Sequence, residues 1–221
     1  MRTLLLVLIA LFVDASTATA AITLALEQTP TGGSAGVTTL IYDGTKLRVH
    51  RSVGGRVRSF KVYDHATKTL LEVDLENKTY RELTENDALE VEKGGVTAPS
   101  KVTYEKAGTS NTIAGYACEV YRVFADGRLR NQGCFAPLGP EVVTKTEFEQ
   151  MAVLMEGFQR FQSWRGEKRG KEPGYPIEQR FFNPDGKTVR LISVLKSISR
   201  APVPASTFQV PAGPGWRKLS Q

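Results

Sequence analysis

Turn residues recur between runs of alternating apolar and polar residues, and this pattern constrains the fold more than any other feature of the chain. The turns fall at Asp43-Gly44, Glu76-Asn77, Asp126-Gly127 and Asn183-Pro184-Asp185-Gly186. Glycine reaches positive φ at little steric cost, so Asp-Gly between β-rich runs is a strong hairpin signal. The sequence therefore predicts a meander of antiparallel hairpins.

The strands of this meander are apolar on one side only, so the predicted sheet has one wet face and one covered face. Leu47 and Val49 alternate with Arg48 and His50, for example. A half-buried antiparallel strand shows this alternation, and its apolar face needs a covering layer. Helices are the predicted cover.

Two segments are predicted to be helical. The shorter one begins at Thr84, has Asp87 three residues later in the manner of a capping box, and ends at Gly94. The longer one runs from Pro140 to Trp164, since proline suits a first helical position. Its apolar residues recur every three or four positions: Val143, Phe148, Met151, Leu154, Met155, Phe158, Phe161 and Trp164. Gly157 interrupts this helix and predicts a kink or a close contact.

The N-terminus has the three parts of a secretory signal peptide. Arg2 precedes an apolar run from Thr3 to Val13, and Ala18-Thr19-Ala20 offers a cleavage site. The run is too short for a membrane span, which needs about 20 apolar residues. We expect residues 1–20 to be removed and residues 21–221 to form one periplasmic or secreted domain.

The two cysteines, Cys118 and Cys134, are predicted to form a disulfide in an oxidising compartment. A three-residue loop at 125–127 would place them directly opposite each other across a hairpin. The same register places Arg122 opposite Arg130, a repulsive pair, so a second bulge is the alternative.

No motif for catalysis, a cofactor or a metal is visible. The only histidines are His50 and His65, which are predicted to lie at the surface, and no G-x-S-x-G occurs. The cysteines lack the second pair of ligands that a closed zinc site needs. Walker and Rossmann glycine patterns are missing as well. We therefore expect a protein that is not an enzyme, with an active site built from dispersed residues as the less favoured alternative.

Two sets of residues are candidate binding sites. The apolar helix stripe is a candidate pocket lining for a lipid or another amphiphile, and ordinary core packing is the alternative: Phe148, Met151, Leu154, Met155, Phe158 and Phe161. The net charge of +6 favours anionic partners, and export makes nucleic acid the least expected of them. The candidate contacts to an envelope protein or an anionic polymer are Arg48, Arg56, Arg58, Lys61, Arg165, Lys168, Arg169 and Lys171.

Four segments, in order, resemble a family of exported bacterial proteins, domain of unknown function 4412. They are residues 43–49 (DGTKLRV), 70–80 (LLEVDLENKTY), 112–121 (TIAGYACEVY) and 203–213 (VPASTFQVPAG). The second cysteine, Cys134, departs from the family pattern, which has an aromatic-rich segment there. This family is similar to the periplasmic lipoprotein carriers. The resemblance implies an α+β fold in which a curved, incompletely closed antiparallel sheet, or half-barrel, carries helices on its concave face.

Overall fold

The computed structural model describes residues 18–19, 21–94, 101–162 and 172–220. These residues form fourteen β-strands, two α-helices and one turn of 3₁₀ helix at Ala205–Phe208. The first seven strands are β1 (Ala18–Thr19), β2 (Ile22–Pro30), β3 (Gly36–Tyr42), β4 (Lys46–Val53), β5 (Arg56–Asp64), β6 (Thr69–Asp74) and β7 (Thr79–Leu83). The others are β8 (Val102–Ile113), β9 (Tyr116–Ala125), β10 (Arg128–Ala136), β11 (Tyr175–Phe182), β12 (Val189–Ser199), β13 (Val203–Pro204) and β14 (Arg217–Lys218). The helices are α1 (Glu85–Gly94) and α2 (Lys145–Gln159).

Twelve of the strands form one sheet in the order β14-β7-β6-β5-β4-β3-β2-β12-β11-β10-β9-β8. Its neighbours are antiparallel except for the short parallel pairing of β14 with β7. The sheet is curved, and its two outer strands do not pair with each other, so it is not closed. Each predicted turn joins two neighbouring strands of this sheet, which confirms the predicted antiparallel meander.

The turn between β9 and β10 is shorter than the sequence predicted. Arg128 pairs with Ala125, so the loop contains only Asp126 and Gly127. Their φ angles of 48° and 76° suit a two-residue turn with both central residues left-handed. The three-residue loop was therefore wrong, and the extra residue lies further along the hairpin, where the register shifts between Leu129 and Asn131.

This bulge changes how the cysteines meet, although the predicted disulfide is present. Cys134 faces Val120, so Cys118 is its diagonal neighbour and not the residue directly opposite. The two Cα atoms are 5.3 Å apart, within the usual range for a disulfide. The bulge also places Gln132 opposite Arg122, which removes the repulsion that the direct register would have created.

Helix α2 begins later than predicted, because a local capping box decides its start. Thr144 is the N-cap: its side chain accepts from the Glu147 N–H, and the Glu147 carboxylate accepts from the Thr144 N–H. Pro140 therefore lies in the turn before the helix, and the prediction of a proline start was wrong. Trp164 lies outside the described residues. The start of α1 was correct, since Thr84 bonds the Asp87 carboxylate through both its N–H and its hydroxyl.

Gly157 marks a close contact between α2 and the sheet. A Cβ atom at this position would lie 2.3 Å from the Tyr63 ring. Any side chain here would push α2 away from β5, so glycine is required by the approach of the helix and not by its backbone angles.

Both faces of the sheet carry a hydrophobic cluster over β3–β6. The first cluster lies against α2 and includes Leu24, Leu47, Leu70, Met151 and Leu154. The second cluster lies on the opposite face, because its members alternate with those of the first along the strands: Ala21, Ile41, Phe60, Val62, Val73 and Phe208. Residues 203–219, here called the C-terminal strap, cover it. The prediction of one wet face was thus wrong for these strands.

Candidate functional site

A cleft of about 230 Å³ opens where the first half of α2 meets the ends of β2 and β3. Ile22, Tyr42, Met151 and Leu154 contribute its apolar walls. The remaining lining residues are Ala21, Asp43, Gly44, Glu147, Gln150 and Arg200. A concave site with apolar walls and a few polar groups is the usual form of a small-molecule site.

One ion pair stands among the lining residues of the cleft. Arg200 donates from Nε to Glu147 Oε1 at 2.8 Å and from Nη2 to Glu147 Oε2 at 3.0 Å. Arg200 Nη2 also donates to the carbonyl of Val142. The hydrogen bonds from Arg200, and then those from Thr144, lower the pKa of Glu147 to about 2. The hydrogen bonds to Glu147 raise the pKa of Arg200. The pair therefore stays charged at physiological pH and holds the start of α2 against the sheet.

The predicted apolar lining is mostly packed interior. Met151, Leu154 and Phe161 are buried, and Phe148, Met155 and Phe158 are half-buried against the same cluster. The Phe161 ring contacts Tyr63, and the Phe148 ring meets Tyr175 edge-to-face at 6.3 Å. Only Met151 and Leu154 of the predicted set line the cleft. The predicted pocket lining stays a hypothesis for these two residues, while core packing accounts for the placement of the other four.

The predicted contact with an anionic partner required Arg48 to lie on an exposed face of the sheet, and it does not. Its Nη1 donates to the Thr207 carbonyl at 2.6 Å, and its guanidinium stacks 3.9 Å from the centre of the Phe60 ring. The C-terminal strap covers this side of β4. His50, two residues along on the same face, is half-buried as well, so its predicted surface position was also wrong.

The other described members of the basic set are already paired with acids. Arg56 and Arg58 both contact Glu76, at 2.9 and 3.5 Å, and Lys61 contacts Glu72 at 2.6 Å. Lys61 also donates to Gln162. The remaining predicted contacts lie outside the described residues: Arg165, Lys168, Arg169 and Lys171.

Sequence reasoning missed Ile22, Tyr42, Glu147 and Arg200 at the cleft. The Thr-x-x-Glu spacing at 144–147 was a usable signal for Glu147, because a capping box depends on neighbouring residues alone. Arg200 had no such signal, since it lies 53 residues from its partner in the chain. Only the fold brings the two together.

Within the described ranges, no group of three or more His, Cys, Asp or Glu residues could hold a metal ion.

Neither helix in the described part of the chain is both long enough and apolar enough to cross a bilayer.

Several solved structures resemble the fold of this chain. The crystal structure of an uncharacterized conserved protein from Thermus thermophilus matches with a TM-score of 0.51 at 8% identity, covering 94% of each chain. This likeness concerns the fold alone. The MucA/MucB complex structure from Pseudomonas aeruginosa has a TM-score of 0.43 at 10% identity, covering 87% of this chain and 56% of that one. A structure of PNGF-II has a TM-score of 0.41 at 8% identity, covering 92% of this chain and 31% of that one. The chain thus spans about half and about a third of these last two proteins.

Comparison with sequences leads to the family. No curated protein matches the chain. The family described as "Domain of unknown function (DUF4412)" matches residues 23–214, which include all four segments on which the predicted resemblance rested. The chain therefore belongs to the DUF4412 family.

Proposed function

We propose that this protein is an exported, non-catalytic binding module that holds a lipid, an acyl chain or another amphiphile between helix α2 and the concave face of the sheet. The observation that carries the proposal is the cleft at this seam, where apolar walls meet the Glu147–Arg200 pair. An amphiphile has the matching chemistry, since its chain suits the walls and its polar group suits the charged pair.

The size of the cleft indicates how a ligand would be accommodated. Its volume of about 230 Å³ is below the roughly 300–1,000 Å³ of typical ligand pockets. A long chain would need α2 to move outward from the sheet. Met151 and Met155 favour such an adjustment, because an unbranched thioether side chain adapts to irregular space. Ion pairs hold the helix near both ends, from Glu147 to Arg200 and from Arg160 to Glu85.

The proposed location is the periplasm or the exterior of the cell. The disulfide supports it, because such bonds persist in oxidising compartments. We propose that residues 1–20 are the signal peptide and that residues 21–221 are the exported domain. Cleavage after Ala20 removes β1, which contributes only two residue pairs, with Pro204 and Val203.

The direct test is displacement of a fluorescent fatty acid from the purified protein, together with extraction and mass spectrometry of lipid that co-purifies. Gln150→Trp places a large ring at the cleft from an exposed position and should abolish binding of the probe. Glu149→Trp is the matched control, since Glu149 is the exposed neighbour on α2 outside the lining, and it should bind normally. Equal binding by both variants, or no binding by the wild type, would contradict the proposal.

A second candidate function is contact with a partner protein or an anionic envelope polymer. It is favoured by the exposure of Arg56 and Arg58, whose side chains remain 68% and 73% accessible although both contact Glu76. Surface ion pairs are weak, so a polyanion could compete for these two groups. Crosslinking in cells tests this function: a reproducible partner that is lost on Arg56→Glu with Arg58→Glu would support it, and an unchanged partner profile would count against it.

A further inference from the structure

A second cleft, of about 250 Å³, opens on the sheet toward its β14 end and is here called the edge cleft. Among the described residues, it has no lining residue in common with the cleft at α2. Its polar lining residues form two rows across β5, β6 and β7, with Ser59, Asp74 and Thr79 in one and Lys61, Glu72 and Arg81 in the other. The next row on the same face belongs to the hydrophobic cluster under α2 and consists of Tyr63, Leu70 and Leu83. The edge cleft is therefore a polar continuation of the face that α2 covers.

Thr79 is the one polar lining residue of the edge cleft that is buried, with 8% of its surface exposed. Its hydroxyl forms no hydrogen bond with any residue that the structure describes. A threonine hydroxyl can donate one hydrogen bond and accept two, and buried polar groups are nearly always paired. The Thr79 hydroxyl is therefore available to a molecule that occupies the cleft.

The second row keeps further hydrogen-bond donors that have no acceptor. Glu72 accepts from Lys61 Nζ at 2.6 Å and from Arg81 Nε. The terminal nitrogens of Arg81, Nη1 and Nη2, form no hydrogen bond within the described ranges. Lys61 also donates to Gln162 Oε1 at 3.2 Å, and Nε2 of the same amide is buried without a partner in the described part of the chain. The donors around the edge cleft thus outnumber the groups that accept from them.

The two carboxylates of the edge cleft are already engaged. Glu72 is bonded by both of its cationic neighbours, as described above. Asp74 directs its oxygens to its own turn, since Oδ1 accepts from the N–H groups of Glu76 and Asn77 and Oδ2 accepts from the Asn77 side chain. An acceptor for the free donors must therefore come from a ligand.

The charges on this face also favour an acidic ligand. Arg217 of β14 pairs in register with Thr79, so it lies on the same face as the two rows. Strands β5, β6, β7 and β14 thus present two carboxylates and three cations on this face, the cations being Lys61, Arg81 and Arg217. The excess of one positive charge attracts an anion.

We propose that the edge cleft binds the carboxylate of a small organic acid. The carboxylate accepts from the terminal nitrogens of Arg81 and from the Thr79 hydroxyl. The apolar part of the acid lies against Leu219, which lines the cleft and is 46% exposed. A volume of about 250 Å³ is slightly below that of typical ligand pockets and suits an acid of a few carbon atoms. This site is separate from the cleft at α2 and does not depend on the function proposed for that cleft.

The test is an NMR titration of the full purified protein with sodium hexanoate at constant ionic strength. Hexanoate should bind saturably and shift the amide signals of residues 59–61, 72–74 and 79–81. Hexan-1-ol has the same chain without the charge and should bind at least about tenfold more weakly, because charge-assisted hydrogen bonds are the stronger ones. Inorganic phosphate is the third ligand, and it should bind more weakly than hexanoate because it has no apolar part. Equal affinity for phosphate would overturn the assignment to an organic acid.

Variants test the two proposed contacts. Thr79→Val replaces the hydroxyl by a methyl group and leaves no protein group unpaired, so the protein should fold and bind hexanoate about tenfold more weakly. Thr79→Ser should restore binding. Arg81→Gln should weaken binding by a similar factor. Arg122→Gln is its matched control, since Arg122 is 53% exposed against 51% for Arg81 and also contacts one glutamate, but lies on β9.

The cleft at α2 could also bind hexanoate, so the location of the shifts decides between the two sites. Gln150→Trp, which fills the cleft at α2, should leave the shifts at residues 59–61, 72–74 and 79–81 in place. If it removes them, the proposal for the edge cleft is overturned while the function proposed for the cleft at α2 stands. The proposal is also overturned if folded Thr79→Val and Arg81→Gln proteins bind hexanoate as the wild type does.

Discussion

The two ends of the sheet are stabilised in different ways. Strands β3–β6 lie between two layers, with α2 on one face and the C-terminal strap on the other. The hairpin of β8 and β9 lies at the other end, where residues 105–112 of β8 are exposed. There the disulfide joins β9 to β10. The outer strand β8 buries little apolar surface of its own, and it pairs with β9, whose covalent link to β10 limits the unfolded chain and stabilises this end.

The largest loss of stability is expected in β3–β6, here called the layered end because both of its faces are covered. Leu47→Ala removes a fully buried side chain between β4 and α2, and we expect it to lower the free energy of unfolding by about 4 kcal/mol, through lost burial and the cavity left behind. Urea unfolding measures the change. Val53→Ala is the control on the same strand, since Val53 is 48% exposed and should change stability by less than about 0.5 kcal/mol. A loss below about 1 kcal/mol at Leu47 would mean that this end does not depend on burial.

The second largest loss of stability is expected at the end of the sheet that carries the disulfide. Replacing both Cys118 and Cys134 with Ser should lower the free energy of unfolding by about 3 kcal/mol, because the bond joins residues 16 positions apart. Hydrogen exchange should show the loss of protection first in β8–β10. The comparison between the two ends would fail if protection fell equally in β3–β6.

A smaller effect is expected on the second face of the layered end. Phe208→Leu keeps an apolar side chain but fills less of the space above Phe60 and Val62, and it should lower the free energy of unfolding by about 1.5 kcal/mol. Limited proteolysis should then cut the strap sooner than in the wild type. Gln209→Ala, at the exposed neighbour, should leave the digestion rate unchanged. Equal rates for the two variants would show that the strap is not held by Phe208.

The smallest effect concerns the ion pair at the cleft. The pKa of Glu147 is lowered from 4.5 to about 2, so its contribution is complete above the unfolded value and is lost as the pH falls toward 2. With screening at this partly exposed site, we expect Glu147→Gln to cost about 1 kcal/mol at pH 7 and to flatten the acid limb of the stability curve. Glu149→Gln is the control, since Glu149 faces only Lys145 at the surface. If Glu147→Gln loses stability at low pH in the same way as the wild type, the Glu147–Arg200 pair does not contribute to this pH dependence.

Local features of the fold were predictable from the sequence. The hairpin turns, the start of α1 and the existence of the disulfide each follow from a few residues, such as Asp126-Gly127 or Thr84 with Asp87. The register of the β9–β10 hairpin was not predictable in detail. The bulge after Leu129 depends on contacts across two strands, among them the separation of Arg122 from Arg130. The candidate cleft was predicted only in part, through Met151 and Leu154.

The sequence by itself determined that this chain forms hairpins with an amphipathic helix and a disulfide, because turn chemistry and hydrophobic period act over a few neighbouring residues. The tertiary structure alone decided that the C-terminal strap covers the second face of β3–β6 and that Arg200 meets Glu147. It also decided that Arg48 is a half-buried cation and not a surface one. These outcomes depend on contacts between residues 53 and 159 positions apart, which no local pattern specifies.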